Sequence, residues 1–279
     1  MIESRYGATT GVRLWQACVV RRLARSWGYA LEGHQLGGFA EATAKAEGER
    51  FVSAHASWAG QWPKDEASGR KIEPRELLVS PGVPVKLAGQ FQRFDLIVDH
   101  RDEIRNDWLR LESPLADRGA DKLLVCVGCG GHMGDRADKK ITADDLEANA
   151  EERKLQKASR LTEDEIRRLV KTVSHTSLHF LVDDPNDPML ERLKDLRATV
   201  HCNGGMEDFR LIHLFQKVAI GQSSFQWWAA FLGRAREIYF PPIDRGIWSH
   251  PEPADLITDP WWWGIDLRVP GDARYIYDW

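Results

Sequence analysis

The segment Asp208–Leu232, DFRLIHLFQKVAIGQSSFQWWAAFL, decides the fold of this chain. Leu211-Ile212-His213-Leu214-Phe215 has the apolar spacing of a buried helix face, and Val218-Ala219-Ile220 is short and apolar enough for an internal strand. Gly221-Gln222-Ser223-Ser224 breaks the run. A second helix is predicted to open at Ser223 or Ser224, whose hydroxyl caps its first turn. Strand, small polar turn and helix N-terminus in that order is how a doubly wound sheet presents backbone N–H groups to a phosphate. Trp227-Trp228 cannot both face water cheaply, so at least one indole is expected to anchor the helix to the sheet.

The flanking sequence carries the same alternation. Lys122–Val127 reads as an internal strand followed by the glycine-rich loop Gly128-Cys129-Gly130-Gly131-His132-Met133-Gly134-Asp135. That loop matches neither the dinucleotide fingerprint nor a phosphate loop ending in Gly-Lys-Ser/Thr. Thr162-Glu163-Asp164-Glu165 has the form of a capping box. Leu178–Val182 is a second strand, closed by Asp183-Asp184-Pro185, and a helix over Met189–Leu196 leads to a strand near Ala198–Val200. Asp208 is placed to cap a helix starting at Phe209, and Glu237–Phe240 is the last strand. Upstream, Gly11 sits in a polar turn, Thr9–Arg13, before a helix that carries Leu14, Trp15, Val19 and Leu23; the turn suits either a ligand or an ordinary structural unit. Val85–Gln92 resembles a strand with a polar, aromatic end, and helical segments are expected at Phe94–Val98 and Ile104–Leu111. The polar stretch 112–121 is the best domain boundary, and the tryptophan-rich tail is expected to wrap a domain.

Composition narrows the function classes. A chain of 279 residues suits two domains, and a formal charge of −4 offers no global basic field for nucleic acid. The first residues, MIESRYGATTGVRLW, lack the apolar core of a signal peptide, and no stretch approaches the roughly 18 apolar residues of a spanning helix. Four unevenly placed cysteines do not form a disulfide framework. The expected location is cytoplasmic, with peripheral membrane association as an alternative. Twelve tryptophans exceed the ordinary needs of a core, so some are expected at a ligand groove or a domain seam.

Cys126-x-x-Cys129 with His132 and Cys202 has the outline of a zinc site, but Cys126 lies inside a strand and no second compact Cys/His pair exists, so buried thiols are the stronger reading and no metal is expected. No nucleophile elbow is present. Asp183 and Asp184 end a strand, where carboxylates accept hydrogen bonds from a ribose or base in nucleotide folds; solvated loop acids are the alternative. Arg13 and Arg210 are candidate diphosphate partners, because a guanidinium matches phosphate bidentately.

Asp208-x-x-Leu211-Ile212 through Ser223-Ser224-Phe225-Gln226-Trp227-Trp228-Ala229-Ala230 resembles the signature of the family 11 glycosyltransferases, the alpha-1,2-fucosyltransferase group, in which the string is Ser-Ser-Phe-Ser-Trp-Trp-Gly/Ala-Ala. Leu87–Gln92 followed by Ile104-Arg105-Asn106-Asp107-Trp108 is similar to that family's Gly-Tyr-Phe-Gln segment and the helix after it. Gly11-x-x-Leu14-Trp15-Gln16-Ala17 resembles its N-terminal helix, and Leu181-Val182-Asp183-Asp184 its Phe-Ser-Asp-Asp. The resemblance implies a GT-B-like α/β fold of two Rossmann-like domains facing a cleft: 1–117 on the acceptor side, 118–245 binding the donor nucleotide, and 246–279 as a tail packed on them. It implies inverting transfer of fucose from GDP-fucose to a hydroxyl of a glycan, with no metal or other cofactor required. By position, Ser223 and Ser224 would hold the diphosphate, Phe225 and Trp227 would shape the pocket, and Asp183 and Asp184 would approach the nucleotide, with Asp208 a further member of the donor site. Gly11, Arg13, Gly130, Gly131 and Arg210 complete the expected donor-binding set.

Two departures qualify what the resemblance implies. Where the family has His-x-Arg-Arg-Gly-Asp, this chain has the glycine-rich loop with neither arginine, and Val12-Arg13 replaces an Asn-Gln pair. Either Arg13, Arg210 or the loop's N–H groups supply the lost phosphate contacts, or the donor has changed, or catalysis has been lost. Inverting transfer also needs a base for the acceptor hydroxyl, for which Asp135, His132 and Glu32 are the candidates, with His34 beside them.

Overall fold

The computed structural model describes residues 10–27, 97–111, 121–128, 160–233 and 235–239, and the backbone of 274–276. The chain divides into two compact units, one of residues 1–113 with 259–265, the other of 114–258 with 266–279.

In the first unit, helix α1 (Thr10–Trp27) buries Leu14, Trp15, Cys18, Val19 and Leu23. Apolar side chains at that spacing make one stripe on a helix. The expected turn at Gly11 is instead the first turn of α1, and Gly11 is buried there. A continuous helical run covers residues 98–108, with a 3₁₀ start and a π-helical end at Ile104–Trp108 closed by Leu109 N–H donating to Ile104 O (2.9 Å). It buries Ile104 and Trp108. The Arg21 guanidinium lies 5.2 Å from the Trp108 ring centre, and Arg22 and Arg25 of α1 pair with Asp99 and Glu103. Val85–Gln92 lies outside the described residues.

The second unit is an α/β domain with a parallel sheet. Its elements in chain order are β1 (Lys122–Cys126), α2 (Glu163–Thr172), β2 (Ser177–Leu181), α3 (Pro188–Arg192), β3 (Thr199–His201), α4 (Gly205–Leu214), β4 (Lys217–Ala219), α5 (Ser224–Leu232) and β5 (Glu237–Tyr239). The sheet order is β3-β2-β1-β4-β5, every neighbour is parallel, and Arg274–Ile276 adds a short strand, β6, beside β5. The order is that of doubly wound sheets. Parallel neighbours need crossovers on the sheet faces, so the central strands are buried on both sides and read as unbroken apolar runs. Accordingly Leu123, Leu124, Val125 and Cys126 are all fully buried.

One face packs Leu123, Val125, Leu178, Phe180 and Ala219 against Ile166 and Leu169 of α2 and against Leu193. On the other face, Leu124 is in register with His179 and Val218, and the His179 ring meets Phe215 edge-on at 5.0 Å. Helix α5 is buried on all sides from Gln226 to Leu232. Trp227 stacks on Phe231 (4.9 Å between ring centres), Trp228 meets the same ring edge-on (5.6 Å), and Phe209 of α4 meets Phe225 (5.2 Å). A Cβ at Gly233 would stand 2.8 Å from the Cα of His213, so the end of α5 touches the backbone of α4 only because residue 233 is glycine.

Two helices differ from expectation. Thr162 and Glu165 do form the capping box that opens α2, but the segment expected to be one helix over Met189–Leu196 is broken at Leu193, with a 3₁₀ turn at Lys194–Leu196. The other is α4, which starts at Gly205 rather than Phe209, so Asp208 lies inside its first turns and is not its N-cap. The start escapes pattern reading because Gly204 and Gly205 both have positive φ (81° and 49°), which local sequence rules take for a break. Among the described residues, no helix is long and apolar enough to cross a membrane.

Replacing Phe231 by Ala removes the ring that holds both indoles, and urea unfolding should report a loss of about 3–5 kcal/mol.

Candidate functional site

The chain leaves β1 toward β2 on one side and returns from β3 to β4 on the other, so the sheet's topological switch point lies between the carboxyl ends of β1 and β4. Ligands of open α/β sheets collect at that position. The exit of β1 is Val127-Gly128 and the exit of β4 is Ile220-Gly221. The two strands are in register to Val125 and Ala219, and then part: Val127 N–H donates to Leu181 O of β2 (2.8 Å), while Ile220 N–H donates to Tyr239 O of β5 (2.9 Å).

The β4 exit runs straight into α5. Ser223 is its N-cap, in extended conformation, with Oγ accepting from Gln226 N–H (3.4 Å). Ser223 is 5 % exposed, whereas Ser224 and Phe225 are half-buried. The N–H groups of Ser224 and Phe225, the first two of the helix, have no acceptor among the described residues. Two such outward N–H groups with the helix dipole behind them attract an anion.

Across the crevice, Gln226 is 2 % exposed and ties both exits together: its Oε1 accepts from Gly221 N–H and its Nε2 donates to Gly128 O, each at 2.8 Å. A Cβ at Gly128 would stand 2.3 Å from Oδ2 of Asp183, so the Asp183 carboxylate occupies the space a side chain at 128 would need. Asp183 and Asp184 are exposed at the end of β2. Asp184 accepts from Asn186 N–H (2.8 Å), a turn of its own making. Asp208 is buried and folds the β3–α4 loop back on itself, accepting from the N–H and side-chain amide of Asn203 (both 3.1 Å) and from Gly204 N–H (2.9 Å).

These acids share a field. Burial, then Asp183 and Asp208, pushes the Cys126 thiol well up. The exposed Cys202 thiol, which donates to Asp183 O (3.7 Å), is also raised, by desolvation first and then by Asp208, Asp183 and Asp184. The edge formed by β1, β2 and β3 is therefore acidic, and the β4–α5 side offers the N–H groups of Ser224 and Phe225.

Three of the remaining expected site residues, Arg210, Phe225 and Trp227, lie on α4 and α5. Arg210 forms an ion pair with Glu207 on α4. The Trp227 ring is buried against Phe231, and Phe225 packs on Phe209. Gly11 and Arg13 belong to the first unit, where Arg13 is exposed. Glu32, His34, Cys129, Gly130, Gly131, His132 and Asp135 lie outside the described residues. Among the described residues, no group of three or more His, Cys, Asp or Glu side chains is placed to hold a metal. Sequence reading passed over Gln226 and Gly128. Ser223-Ser224-Phe225-Gln226 does have the capping-box form, Ser-x-x-Gln, that singles out Gln226.

Comparison with protein-family models, with curated proteins and with solved structures returned no match.

Because Asp183 raises the Cys202 thiol, Asp183→Asn should increase the thiolate fraction and speed Cys202 alkylation at about pH 7.5, with the wild-type rate rising toward higher pH. Peptide mass mapping reads this out, with Cys126 and Cys18 unlabelled until the chain unfolds; equal rates in wild type and variant would separate the acids from Cys202.

Proposed function

We propose that this protein is an inverting glycosyltransferase that holds a nucleoside-diphosphate sugar at the β1–β4 switch point, with GDP-fucose the first donor to test and a glycan hydroxyl as acceptor. The observation that carries the reading is the start of α5, where the Ser224 and Phe225 N–H groups have no acceptor among the described residues, at the carboxyl edge of the sheet. A diphosphate there gains hydrogen bonds and the helix dipole. Asp183 at the end of β2 is placed on the side where ribose hydroxyls would lie. The ordered sequence resemblance supports the transfer chemistry, and a second Rossmann-like domain in residues 1–117, completing a GT-B cleft, belongs to the same proposal.

In this reading α5 stabilises charge on the departing nucleoside diphosphate, the largest demand of the reaction. A base for the acceptor comes from His132, Asp135 or Glu32. Donor use requires no metal, and the partners are the nucleotide sugar and the acceptor glycan, in a cytoplasmic or membrane-peripheral setting. A nucleotide-binding protein without transferase activity is the second reading. It is favoured by the Asp183 carboxylate over Gly128, beside the loop from which the family's arginines are missing.

A donor panel of nucleotide sugars tests the assignment. Turnover supports the transferase, and binding of a nucleoside diphosphate without turnover supports the second reading. The double variant Ser223→Ala/Ser224→Ala should weaken GDP binding roughly tenfold by calorimetry, as a disturbed cap misaligns the helix's first turn. Unchanged affinity in a folded variant would remove α5 from the site.

A further inference from the structure

We propose that Gln226 is a positioning residue for the nucleotide site, its side-chain amide standing in for the missing rung between β1 and β4 and so holding the floor of the crevice open at a set width. The inference rests on the nucleotide-binding reading above and extends it to a residue at which this chain departs from the Ser-Ser-Phe-Ser string it resembles.

The geometry is that of a peptide unit inserted between two strands. Beyond Val125 and Ala219 the β1–β4 pairing ends, while β1 stays bonded to β2 through Val127 N–H and Leu181 O, and β4 to β5 through Ile220 N–H and Tyr239 O. A buried gap then lies between Gly128 O and Gly221 N–H. A buried carbonyl and N–H each need a partner, since stranding either one costs its desolvation. The carboxamide of Gln226 supplies both from one group, accepting from Gly221 N–H and donating to Gly128 O. The two residues it joins to α5 lie 98 and 5 positions away in the chain. Only a side chain with an acceptor and a donor, at the length of glutamine, bridges them; glutamate keeps the acceptor and sets a carboxylate oxygen against Gly128 O.

Two consequences make this a matter of ligand placement. Gly221 N–H donates to Gln226 and Ser223 N–H to Gly221 O (2.8 Å), whereas the N–H groups of Ser224 and Phe225 have no acceptor among the described residues. Gly128 is held directly under the Asp183 carboxylate, where a Cβ would clash. Gln226 thereby sets the distance between the acid at the β2 end and the N–H pair of α5, the two ends of a bound nucleotide.

The test uses GDP as the probe in calorimetric titrations of the wild type, Gln226→Glu and Gln226→Met, with each variant expressed as a ratio to wild type at the same pH. Asp183, the carboxylate facing Gly128, is common to all three. Gln226→Met should bind GDP roughly tenfold or more weakly than wild type. Gln226→Glu should be similarly weak at about pH 8 and recover toward wild type at about pH 5.5, where a neutral carboxyl again donates to Gly128 O. Urea unfolding checks the fold. If the Met variant does not fold, one preparation of the Glu variant moved between the two pH values decides. Equal GDP binding by wild type and folded variants at both pH values overturns the role of Gln226 and leaves the nucleotide site standing. A wild type that binds no nucleoside diphosphate overturns both.

Discussion

Strand β1 is hydrogen-bonded to β2 on one side and to β4 on the other, parallel to both. A strand held that way has no free edge and no solvated face, and each of its neighbours has to be reached by a crossover helix. The chain satisfies this by winding α2 over one face and α4 and α5 over the other, and the reversal of direction at β1 puts the switch point at the carboxyl edge. The candidate site follows from that topology before any side chain is considered. Its chemistry then comes from what the exits of β1, β2 and β4 carry: a glycine, an acid, and a hydroxyl turn entering a helix.

Helix α5 meets two demands at once. Its body is a core element, buried from Gln226 to Leu232 and locked by the contacts of two indoles with Phe231. Its first turn stands at the carboxyl edge of the sheet. Rigidity in the body is what makes the first turn useful, because N–H donors aligned in advance do not have to be ordered when an anion arrives. Trp227, expected from its place in the motif to shape a pocket, contributes from inside the core instead, through the position of the helix.

The acid side of the crevice is organised differently. Asp208 spends its carboxylate on three hydrogen bonds within the β3–α4 loop, and Asp184 serves its own turn, so of the three acids it is Asp183 that stands against the β1 exit. Asp183 and Asp208 still raise the Cys126 thiol, and all three acids raise that of Cys202, in both cases after desolvation. The division of acids from helix N–H groups is what the proposed reading, a ligand with hydroxyls at one end and phosphate at the other, draws on.

Local sequence determined the strands and most helix starts. A strand buried on both faces reads as a nearly unbroken apolar run, as in Leu123–Val127 and, His179 apart, Leu178–Val182, and a cap is a contact between residues three apart, as at Thr162 and Ser223. Both are properties of neighbours in the chain. Tertiary structure alone decided the start of α4, where two glycines of positive φ conceal a helix that Asp208 ties down from within, and the addition of β6 from the tail to the edge of the sheet. It also decided the bridge from Gln226 to Gly128. The polar demand of Gly128 O arises only when two strands part in a buried place, and no pattern within either segment records that the other lies beside it.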